Sequence, residues 1–534
     1  MAARKILIII WSGLFLLGLN VSVLGQGVYE AWVARYDGSG NSTDEANALA
    51  ADDNGNVYVT GSSYSSSSFD DYVTIKYKPN GDTAWVRRYD SGGGYDYATA
   101  LALDNGGNVY VTGHSGDVFL ADYATIKYAP NGDTLWVRRY NGPGNSDDWP
   151  YALALDNSGN VYVTGVSLGS GSAYDYATIK YKPNGDTAWV RRYNGPGNYD
   201  DYARALAVDG SSNVYVTGYS TGSDWDYATI KYAANGDSLW VRRYDGPGNW
   251  HDEATALAVD DNGNVYVTGY SSGNSSFDDY VTIKYKPNGD TFWTRRYNGP
   301  DNDLDYANAL AVDTAGNVYV TGGSIGSGTS YDYATIKYAP NGDTVWVRRY
   351  DGLVNDYDEA FALALDPAGN VYVSGRSIAS GTGPDYVTIK YAPNGDTLWV
   401  KRYNGPDSFD DQASALVLDS AGNVYATGSS FGLGTDYDYA TIKYSPCAAI
   451  PGDANASGTY TLGDAVAIVN YLFGKVGCSP LPTCWLNSLL CRGDWNGTGT
   501  VTLGDAIRAV NYVFNKPGGP WNAVPIGACC LPAP

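Results

Sequence analysis

Residues 152–193 read ALALDNSGNVYVTGVSLGSGSAYDYATIKYKPNGDTAWVRRY, and this stretch decides the fold. Its segments ALALD, NVYVTG, DYATIKY and AWVRRY are rich in β-branched and aromatic residues, which favour strands. DNSGN joins the first two segments and PNGD joins the last two. Proline, asparagine and glycine at such positions favour tight hairpin turns. The stretch therefore predicts four short antiparallel strands, which we name a, b, c and d in chain order.

This unit recurs eight times at a period of about 52 residues. Four-stranded units at a period of about 40–50 residues are typical of β-propeller blades. The repeats start with a d-type segment, WVARY at residues 32–36, and finish with YATIKY at residues 439–444 without a d segment after it. One unit is thus divided between the two ends, which a closed ring explains. We predict an all-β, eight-bladed propeller over residues 26–446 whose N-terminal strand completes the last blade; seven blades plus a stray unit is the alternative.

The loops of the predicted ring fall into two groups. Because the strands alternate in direction, the short a–b and c–d turns share one face, and the b–c and d–a loops share the other. The second group varies between units, as in HSGDVFLA at residues 114–121 and SLGSGSAY at residues 167–174. We expect this variable face to hold any glycan or protein ligand. Tyr64, Tyr199 and Tyr357 are loop tyrosines that suit stacking on sugars, although scattered loop tyrosines commonly have no such role.

Aspartate dominates the charge of the chain. The net charge is −23 and the sequence pI is near 4.3, which argues against a nucleic-acid partner. Three aspartates recur in every unit, and we interpret them as acceptors for backbone N–H groups in turns and at strand entries. The alternative is that those before strand a and before strand c share one face and form a ring that holds cations. The three sets are Asp52, Asp104, Asp156, Asp209, Asp260, Asp313, Asp366 and Asp419 at the end of strand a; Asp44, Asp96, Asp148, Asp201, Asp252, Asp305, Asp358 and Asp411 before strand a; and Asp71, Asp122, Asp175, Asp226, Asp279, Asp332, Asp385 and Asp438 at the start of strand c.

Basic residues and histidines give no catalytic signal. The arginine pairs of the d segments, such as Arg87 and Arg88, are expected between blades, paired with the repeated aspartates. The two histidines, His114 and His251, occupy unrelated positions of different units and have no matching nucleophile. No unit carries an outlying cluster of acids of the kind used in glycoside hydrolysis. The sequence therefore predicts a protein that is not an enzyme.

The N-terminus has the features of a secretory signal peptide. Arg4 and Lys5 precede the apolar run ILIIIWSGLFLLGL, and Val23 and Gly25 fit the small-residue cleavage rule, so residues 1–25 are the predicted signal. This run is short for a membrane span, and no later stretch reaches about 18 apolar residues. We expect an exported protein, secreted or at the cell surface, without a transmembrane anchor.

The last 88 residues, 447–534, differ in composition from the ring because they hold all six cysteines. An even number in an exported chain favours disulfides, for which six cysteines allow 15 pairings. A zinc site is the alternative, although paired C-x-x-C motifs and a nearby histidine are missing. The cysteines are Cys447, Cys478, Cys484, Cys491, Cys529 and Cys530.

The same region contains two calcium-loop patterns, GDANASGTYTLGD at residues 452–464 and GDWNGTGTVTLGD at residues 493–505. Such a loop needs oxygen ligands at alternate positions, a glycine at position 6 and a carboxylate at position 12. Gly458 and Gly499 fill position 6, and apolar residues at helical spacing follow each loop. We therefore predict two Ca²⁺ sites; two Asx-rich turns before helices are the alternative. The predicted ligands are Asp453, Asn455, Ser457, the Thr459 carbonyl and Asp464 in the first loop, and Asp494, Asn496, Thr498, the Thr500 carbonyl and Asp505 in the second.

On these residues the region resembles dockerin of type I, the calcium-binding module that docks into cohesin domains and attaches proteins to extracellular assemblies. The resemblance covers roughly residues 450–520. It implies a small α-helical, EF-hand-like module that folds with Ca²⁺ and a cohesin-like or other extracellular partner. Ser457 and Thr498 replace the aspartate usual at position 5, which lowers the charge of each loop. The ring units resemble the bacterial SBBP-type propeller repeat in their D-x-x-G-N-V-Y-V-T-G stretch, which implies a fold but little about activity.

Together these features predict an exported, non-catalytic binding or scaffold protein. The propeller would display a binding face, and the C-terminal module would attach it to a partner through Ca²⁺. Two alternatives belong to other classes. One is a secreted polysaccharide hydrolase or lyase with a propeller catalytic domain, and the other is a structural surface protein that self-associates.

Overall fold

The computed structural model describes residues 28–446, apart from residues 67–68, 118–119 and 275, together with Ile507 in a helical conformation. The predicted dockerin-like module with its calcium loops and cysteines therefore lies outside the described residues, except for Ile507. The predicted signal peptide lies outside them as well. Among the residues that are described, no helix is long and apolar enough to cross a membrane.

Thirty-two strands form in residues 28–446, each built from one of the four repeated segments. In chain order they are β1 (Val28–Tyr36), β2 (Asp44–Ala51), β3 (Val57–Ser65), β4 (Phe69–Tyr77), β5 (Thr83–Tyr89), β6 (Tyr95–Leu103), β7 (Val109–Gly116), β8 (Asp122–Tyr128), β9 (Thr134–Tyr140), β10 (Asp148–Leu155), β11 (Val161–Leu168), β12 (Tyr174–Tyr181), β13 (Thr187–Tyr193), β14 (Asp201–Val208), β15 (Val214–Thr221), β16 (Trp225–Tyr232), β17 (Ser238–Tyr244), β18 (Asp252–Val259), β19 (Val265–Ser272), β20 (Asp278–Tyr285), β21 (Thr291–Tyr297), β22 (Asp305–Val312), β23 (Val318–Ile325), β24 (Tyr331–Tyr338), β25 (Thr344–Tyr350), β26 (Asp358–Leu365), β27 (Val371–Ile378), β28 (Pro384–Tyr391), β29 (Thr397–Tyr403), β30 (Asp411–Leu418), β31 (Val424–Phe431) and β32 (Tyr437–Pro446).

The strands make eight four-stranded sheets, one for each predicted blade. Blades 1 to 7 each use four consecutive strands, beginning with β2–β5. Blade 8 has the order β30-β31-β32-β1, so the N-terminal strand supplies its fourth strand. Each strand a contacts strand a of the next blade, and β30 contacts β2, so the eight a strands form a closed inner ring. The predicted eight-bladed propeller is confirmed, and a seven-bladed ring with a stray unit is wrong.

Neighbouring blades are joined by a repeated set of buried contacts. Strands b and c contribute alternating apolar residues that are fully buried between blades, such as Val111 and Ile126. One buried tyrosine per blade donates a hydrogen bond to strand c of the next blade. Tyr72 Oη does so to the Ala124 carbonyl at 3.3 Å, and Tyr439 Oη closes the ring by donating to the Val73 carbonyl at 3.3 Å. Blade 8 is therefore bonded to blade 1 in the same way as consecutive blades are bonded to each other.

In the six d segments that have two arginines, the two side chains have different partners; β1 has Ala34 and β29 has Lys401 at the first position. Arg88 pairs with Asp71 of its own blade at 2.5 Å, whereas Arg87 Nε donates across the junction to the Gly132 carbonyl at 2.6 Å. The expectation that both arginines pair with aspartates between blades is therefore wrong for the first arginine. Because successive side chains of a strand point to opposite faces, only the second arginine reaches the aspartate that opens strand c.

The aspartates that end strand a are structural, as the sequence predicts. Asp52 Oδ1 accepts the N–H groups of Asn54 and Asn56 at 3.0 and 2.9 Å. Its Oδ2 accepts from Asn56 Nδ2 at 2.7 Å and from Tyr58 Oη at 3.1 Å. Four hydrogen bonds to one carboxylate hold the a–b turn in place, and the other units repeat them.

Gly218 of strand b lies against a bulge in strand a, and we expect alanine there to destabilise the ring. A Cβ at this position would lie 1.8 Å from the Tyr202 carbonyl oxygen, so the backbone would have to move. Gly218→Ala should lower the free energy of unfolding by about 2 kcal/mol. Gly210→Ala, in the same blade, is the matched control because nothing lies within 4 Å of a Cβ there. Thermal unfolding of the two variants tests this prediction. Equal unfolding temperatures for Gly218→Ala and Gly210→Ala would contradict it.

Candidate functional site

A row of aromatic side chains in stacked, tilted or edge-to-face contact runs along the variable face, across blades 1 to 5. Consecutive ring centroids are between 4.4 and 6.3 Å apart. The side chains lie where strands a, b and c meet the variable loops. We name this row the aromatic belt; its members are Phe69, Tyr95, Tyr97, His114, Trp149, Tyr174, Tyr202, Tyr219, Trp225, His251 and Trp250.

Strand register positions the rings of the aromatic belt. Tyr97 of strand a is directly opposite His114 of strand b, and Tyr202 is directly opposite Tyr219. Opposed residues of an antiparallel pair point to the same face of a sheet, so each pair stacks, at 5.0 Å in both blades. Trp225 opens strand c and extends the row to His251 at 4.4 Å. The row of ring contacts is therefore continuous within blades and between them, with stacked pairs inside blades 2 and 4 and tilted contacts at several junctions.

Burial within the aromatic belt is graded. Tyr219 is buried, most members are half-buried, and Trp250 is 64% exposed. The inner edges are held by packing, while outer faces remain open to a ligand. Aromatic side chains with fixed rotamers bind at a low entropic cost, so this surface is already organised for stacking.

One glutamate on strand a adjoins the aromatic belt and a second one, in blade 7, lies beside other aromatic rings of the same face; both contact arginine and tyrosine. Glu253 pairs with Arg204 at 2.7 Å and accepts from Tyr270 Oη at 2.6 Å. The Arg204 guanidinium lies over the rings of Tyr202 and Tyr219, at 5.4 and 5.7 Å. Burial acts to lower the pKa of Arg204, but the charge and hydrogen bond of Glu253, together with Tyr151 and Tyr219, outweigh it, and the pKa lies above its usual value.

The second glutamate is Glu359, whose side chain is only 1% exposed. It accepts from Tyr357 Oη at 2.6 Å and from Asn308 Nδ2 at 2.9 Å, and Arg376 lies 3.6 Å away. A shorter aromatic row passes beside it through Tyr270, Tyr306, Tyr331 and Tyr357. The carboxylates of this face therefore act as acceptors that hold tyrosines in place.

The structure places the three loop tyrosines that were proposed from sequence in different surroundings. Tyr357 belongs to the shorter row, where it packs 5.0 Å from Tyr331. Tyr199 is 61% exposed and lies outside the aromatic belt, and Tyr64 is half-buried at the end of β3. The predicted calcium ligands lie outside the described residues.

Sequence reasoning missed the aromatic belt, although a signal for it existed. Its members occupy positions that vary between units, and five of the eleven stand directly after the aspartate of strand a or directly before the aspartate of strand c. His114 and His251, which looked unrelated, both stack in it. Aligning the eight units and marking aromatic residues at their variable positions would have pointed to this face.

Comparison with protein families supports the prediction that the recurring unit is a β-propeller repeat. The SBBP β-propeller repeat matches residues 32–70, 135–171, 188–225, 240–275 and 293–328. These five segments match the SBBP repeat, and the eight four-stranded sheets make the chain a β-propeller repeat protein. Over 76% of its length it is 25% identical to the uncharacterized WD repeat-containing protein L264 of Acanthamoeba polyphaga mimivirus. The match covers 32% of the viral protein, so the chain spans about a third of the length of that relative.

Similar solved structures are propellers of diverse proteins. Chaetomium thermophilum Sqt1, bound to the N-terminus of the ribosomal protein L10, is matched with a TM-score of 0.50 and 11% identity, over 78% of this chain and all of that one. The Pseudomonas aeruginosa periplasmic gluconolactonase PpgL gives a TM-score of 0.40 at 14% identity, over 69% of this chain and 98% of the enzyme. The polysaccharide lyase Uly1 gives 0.39 at 11% identity, over 75% of this chain and 89% of the lyase. At these identities the similarity to Sqt1 concerns the fold alone.

Proposed function

We propose that the protein is an exported, non-catalytic scaffold that binds a polysaccharide along the aromatic belt. In this proposal, residues 447–534 attach the ring to an extracellular protein through Ca²⁺. The observation that carries the glycan proposal is the unbroken row of ring contacts in the belt, stacked or tilted, with 4.4–6.3 Å between neighbouring rings. A row of this length suits an extended polymer better than a small compact ligand.

The chemistry of the face suits sugar. A pyranose ring presents apolar C–H groups on its faces and hydroxyls at its edge, so it stacks on an aromatic ring and hydrogen-bonds to acids beside it. Asp70 accepts from Tyr97 Oη at 2.6 Å, which places a carboxylate at the edge of the aromatic belt. Single-stranded nucleic acids also stack on aromatic side chains. The net charge of −23, however, disfavours both nucleic acids and acidic polysaccharides. We therefore favour a neutral or amino-sugar polymer.

The burial and the hydrogen bonds of the two glutamates support a binding role rather than a catalytic one. Glu253 and Glu359 are buried and engaged by arginine and tyrosine, while a general acid or base must reach the bond it cleaves. Attachment through the C-terminal module rests on its two calcium-loop patterns and their resemblance to dockerin.

Truncating aromatic belt residues should weaken polysaccharide binding. Trp225→Ala and His251→Ala in the mature chain should each weaken it about 5- to 150-fold, because stacking on one aromatic ring is worth about 1–3 kcal/mol. Tyr199→Ala is the matched control, an exposed tyrosine on the same face outside the belt. Affinity electrophoresis over a panel of neutral polysaccharides, followed by calorimetry on the retained one, measures this. The proposal fails if no polysaccharide retards the protein, or if Tyr199→Ala weakens binding as much as the belt variants. Release of reducing ends or unsaturated sugars would instead favour the hydrolase or lyase alternative.

Attachment should depend on calcium and on both predicted loops. Immobilised residues 447–534 should retain an envelope or secreted protein of the producing organism in Ca²⁺ and release it in chelator. Asp464→Ala combined with Asp505→Ala should abolish retention because each removes the carboxylate at position 12. Capture that persists in chelator, from a fragment shown to be folded, would rule out calcium-dependent docking.

A further inference from the structure

We propose that the aromatic belt binds a cationic amino-sugar polymer, whose sugar rings contact the belt and whose protonated amines contact carboxylates beside it. This inference rests on the proposed function and narrows the class of its ligand. An ammonium group is stabilised by a carboxylate and by an aromatic ring, so the surface offers it two favourable contacts. The carboxylates that adjoin the belt, in blades 1 to 4, are Glu45, Asp70 and Asp200.

Two of these carboxylates lie near Tyr97. Asp70 Oδ2 accepts from Tyr97 Oη at 2.6 Å, and Glu45 is exposed on strand a of blade 1. Burial raises the pKa of Tyr97, and the hydrogen bond and charge of Asp70 and the charge of Glu45 raise it further. Negative charge that disfavours a phenolate favours a bound ammonium group. This part of the belt therefore suits a cation.

A second acidic place lies in the middle of the belt. Asp200 is exposed, and its Oδ1 accepts the N–H of Tyr174 at 3.2 Å. Burial raises the pKa of Tyr174, and the charges of Asp147 and Asp200 raise it further. Burial, the neighbouring Tyr151 and the charge of Asp200 likewise raise the pKa of Tyr202, the next ring of the belt. A cation at this place would meet carboxylates as well as aromatic rings.

Two arginines of the chain already show how this face holds a positive charge. The guanidinium of Arg204 lies 5.4 Å from the ring centre of Tyr202 and pairs with Glu253 at 2.7 Å. The guanidinium of Arg376 lies 4.5 Å from the ring centre of Tyr357, with a buried glutamate 3.6 Å away. All other arginines of residues 28–446 belong to d segments. The variable face thus combines aromatic ring, carboxylate and cation twice within the chain itself.

The places beside Tyr97 and Tyr174 have rings and carboxylates but no such arginine. Among the described residues, no arginine or lysine lies over either ring. The second arginine of each d segment is paired with the aspartate that opens strand c. Every lysine of residues 28–446 except Lys401 belongs to an IKY segment or a c–d turn, towards the opposite face. The variable face is therefore acidic, and its field attracts polycations.

An amino-sugar polymer suits this face better than a basic peptide does. Its stiff chain presents one amine per sugar, next to C–H groups that pack on aromatic rings. Lysine and arginine carry their charge on flexible side chains, which lose rotamer freedom when they are fixed. The unbroken row of rings favours the ligand whose every unit has both an apolar face and a charge.

Binding of two forms of one polymer to the mature chain, residues 26–534, tests the proposal. A soluble glycol derivative of the β-linked glucosamine polymer is prepared fully N-acetylated, which is neutral, or with free amines, which is cationic at mildly acidic pH. Calorimetry at low salt should show that the free-amine form binds at least about tenfold more tightly. Added salt should reduce this difference because it screens charges.

The outcomes of this comparison separate the inference from the proposed function. Equal or tighter binding of the N-acetylated form overturns the inference and leaves the proposed function standing. Binding of neither form also overturns the inference, and the panel of neutral polysaccharides then decides the proposed function.

Removing the carboxylates beside the belt should remove the preference for amines. The variant replaces Glu45 by glutamine and Asp70 and Asp200 by asparagine, which keep an oxygen acceptor at each position. Its affinity for the free-amine form should fall about tenfold, because three charge contacts are lost. Its affinity for the N-acetylated form should change less than about twofold, because that form has no charge to lose a contact.

A matched set on the opposite face separates local contacts from net charge. It changes the net charge by the same amount by replacing three exposed turn aspartates with asparagine: Asp82, Asp133 and Asp186. This set should keep wild-type affinity for the free-amine form, whereas Trp225→Ala should weaken it. The inference is overturned if the opposite-face set loses as much affinity as the belt set, if Trp225→Ala leaves binding of the free-amine form unchanged, or if polylysine of equal length binds as tightly.

Discussion

Deleting β1, residues 28–36, from the ring should abolish its single cooperative unfolding transition. The strand supplies the fourth strand of blade 8, and its Arg35 pairs with Asp438. Its Trp32 Nε1 donates across the closure to the Pro79 carbonyl at 3.0 Å. Trp32 is half-buried, and the deletion removes it together with the whole set of hydrogen bonds between β1 and β32. Loss of one core tryptophan alone costs about 3–5 kcal/mol, so losing a complete strand is large against the usual range of about 5–15 kcal/mol for the stability of a whole domain. Strand β32 would also become an exposed edge, which favours association with other chains.

A circular permutant provides the control for this deletion. Residues 37–446 followed by Asn-Gly-Asp-Thr and residues 31–36 rebuild blade 8 as a continuous unit, since Pro446 occupies the position of the turn proline in the other units. The permutant should be monomeric and unfold cooperatively like residues 26–446, while the deletion should aggregate or unfold over a broad range. Calorimetry and light scattering compare the three proteins. A deletion variant that stays monomeric and melts like the intact ring would show that blade 8 does not need its N-terminal strand.

The fold was predictable because its determinants are local and repeated eight times. Strand segments, turn residues and period all appear within one unit, so residues 152–193 carry nearly the whole argument. Closure was predictable as well, since the order of segments at the two ends leaves one blade incomplete. The ion pairs were harder to predict, because strand register decides which arginine reaches an aspartate. Arg87 was expected to pair with an aspartate, but it donates to the Gly132 carbonyl instead.

The candidate site was largely beyond sequence reasoning because it is assembled across blades. Tyr174 opens strand c of blade 3, yet it packs 5.7 Å from Tyr202 of blade 4. Aspartates from adjacent blades also come together only in the structure, as Asp438, Asp37 and Asp44 do. A residue that differs between units, such as Asp37 against Asn141, has no visible role until the junction is built.

Replacing Glu253 by alanine should lower the free energy of unfolding by about 3 kcal/mol. Glu253 is 8% exposed and is the ion-pair partner of Arg204. Breaking a buried pair by removing one partner usually costs about 3–5 kcal/mol, because the remaining charge is left without compensation. We expect the lower end, since 24% of the Arg204 side chain remains exposed and water can solvate it. Tyr270 Oη also loses its acceptor. Thermal and denaturant unfolding measure the effect.

The chain offers its own replacement for this ion pair. Other blades have threonine where Arg204 stands, as at Thr99 and Thr255, and tyrosine where Glu253 stands, as at Tyr97. Because removing both charges leaves none unpaired, Arg204→Thr with Glu253→Tyr should be close to wild type in stability. The new tyrosine would also stand opposite Tyr270, between the aromatic belt and the shorter row, and join the two. The double variant should therefore bind polysaccharide more tightly than wild type does. Glu253→Ala alone should not, because it leaves the belt and the shorter row unconnected. Equal stability losses in the single and double variants would mean that packing, rather than charge pairing, accounts for the cost.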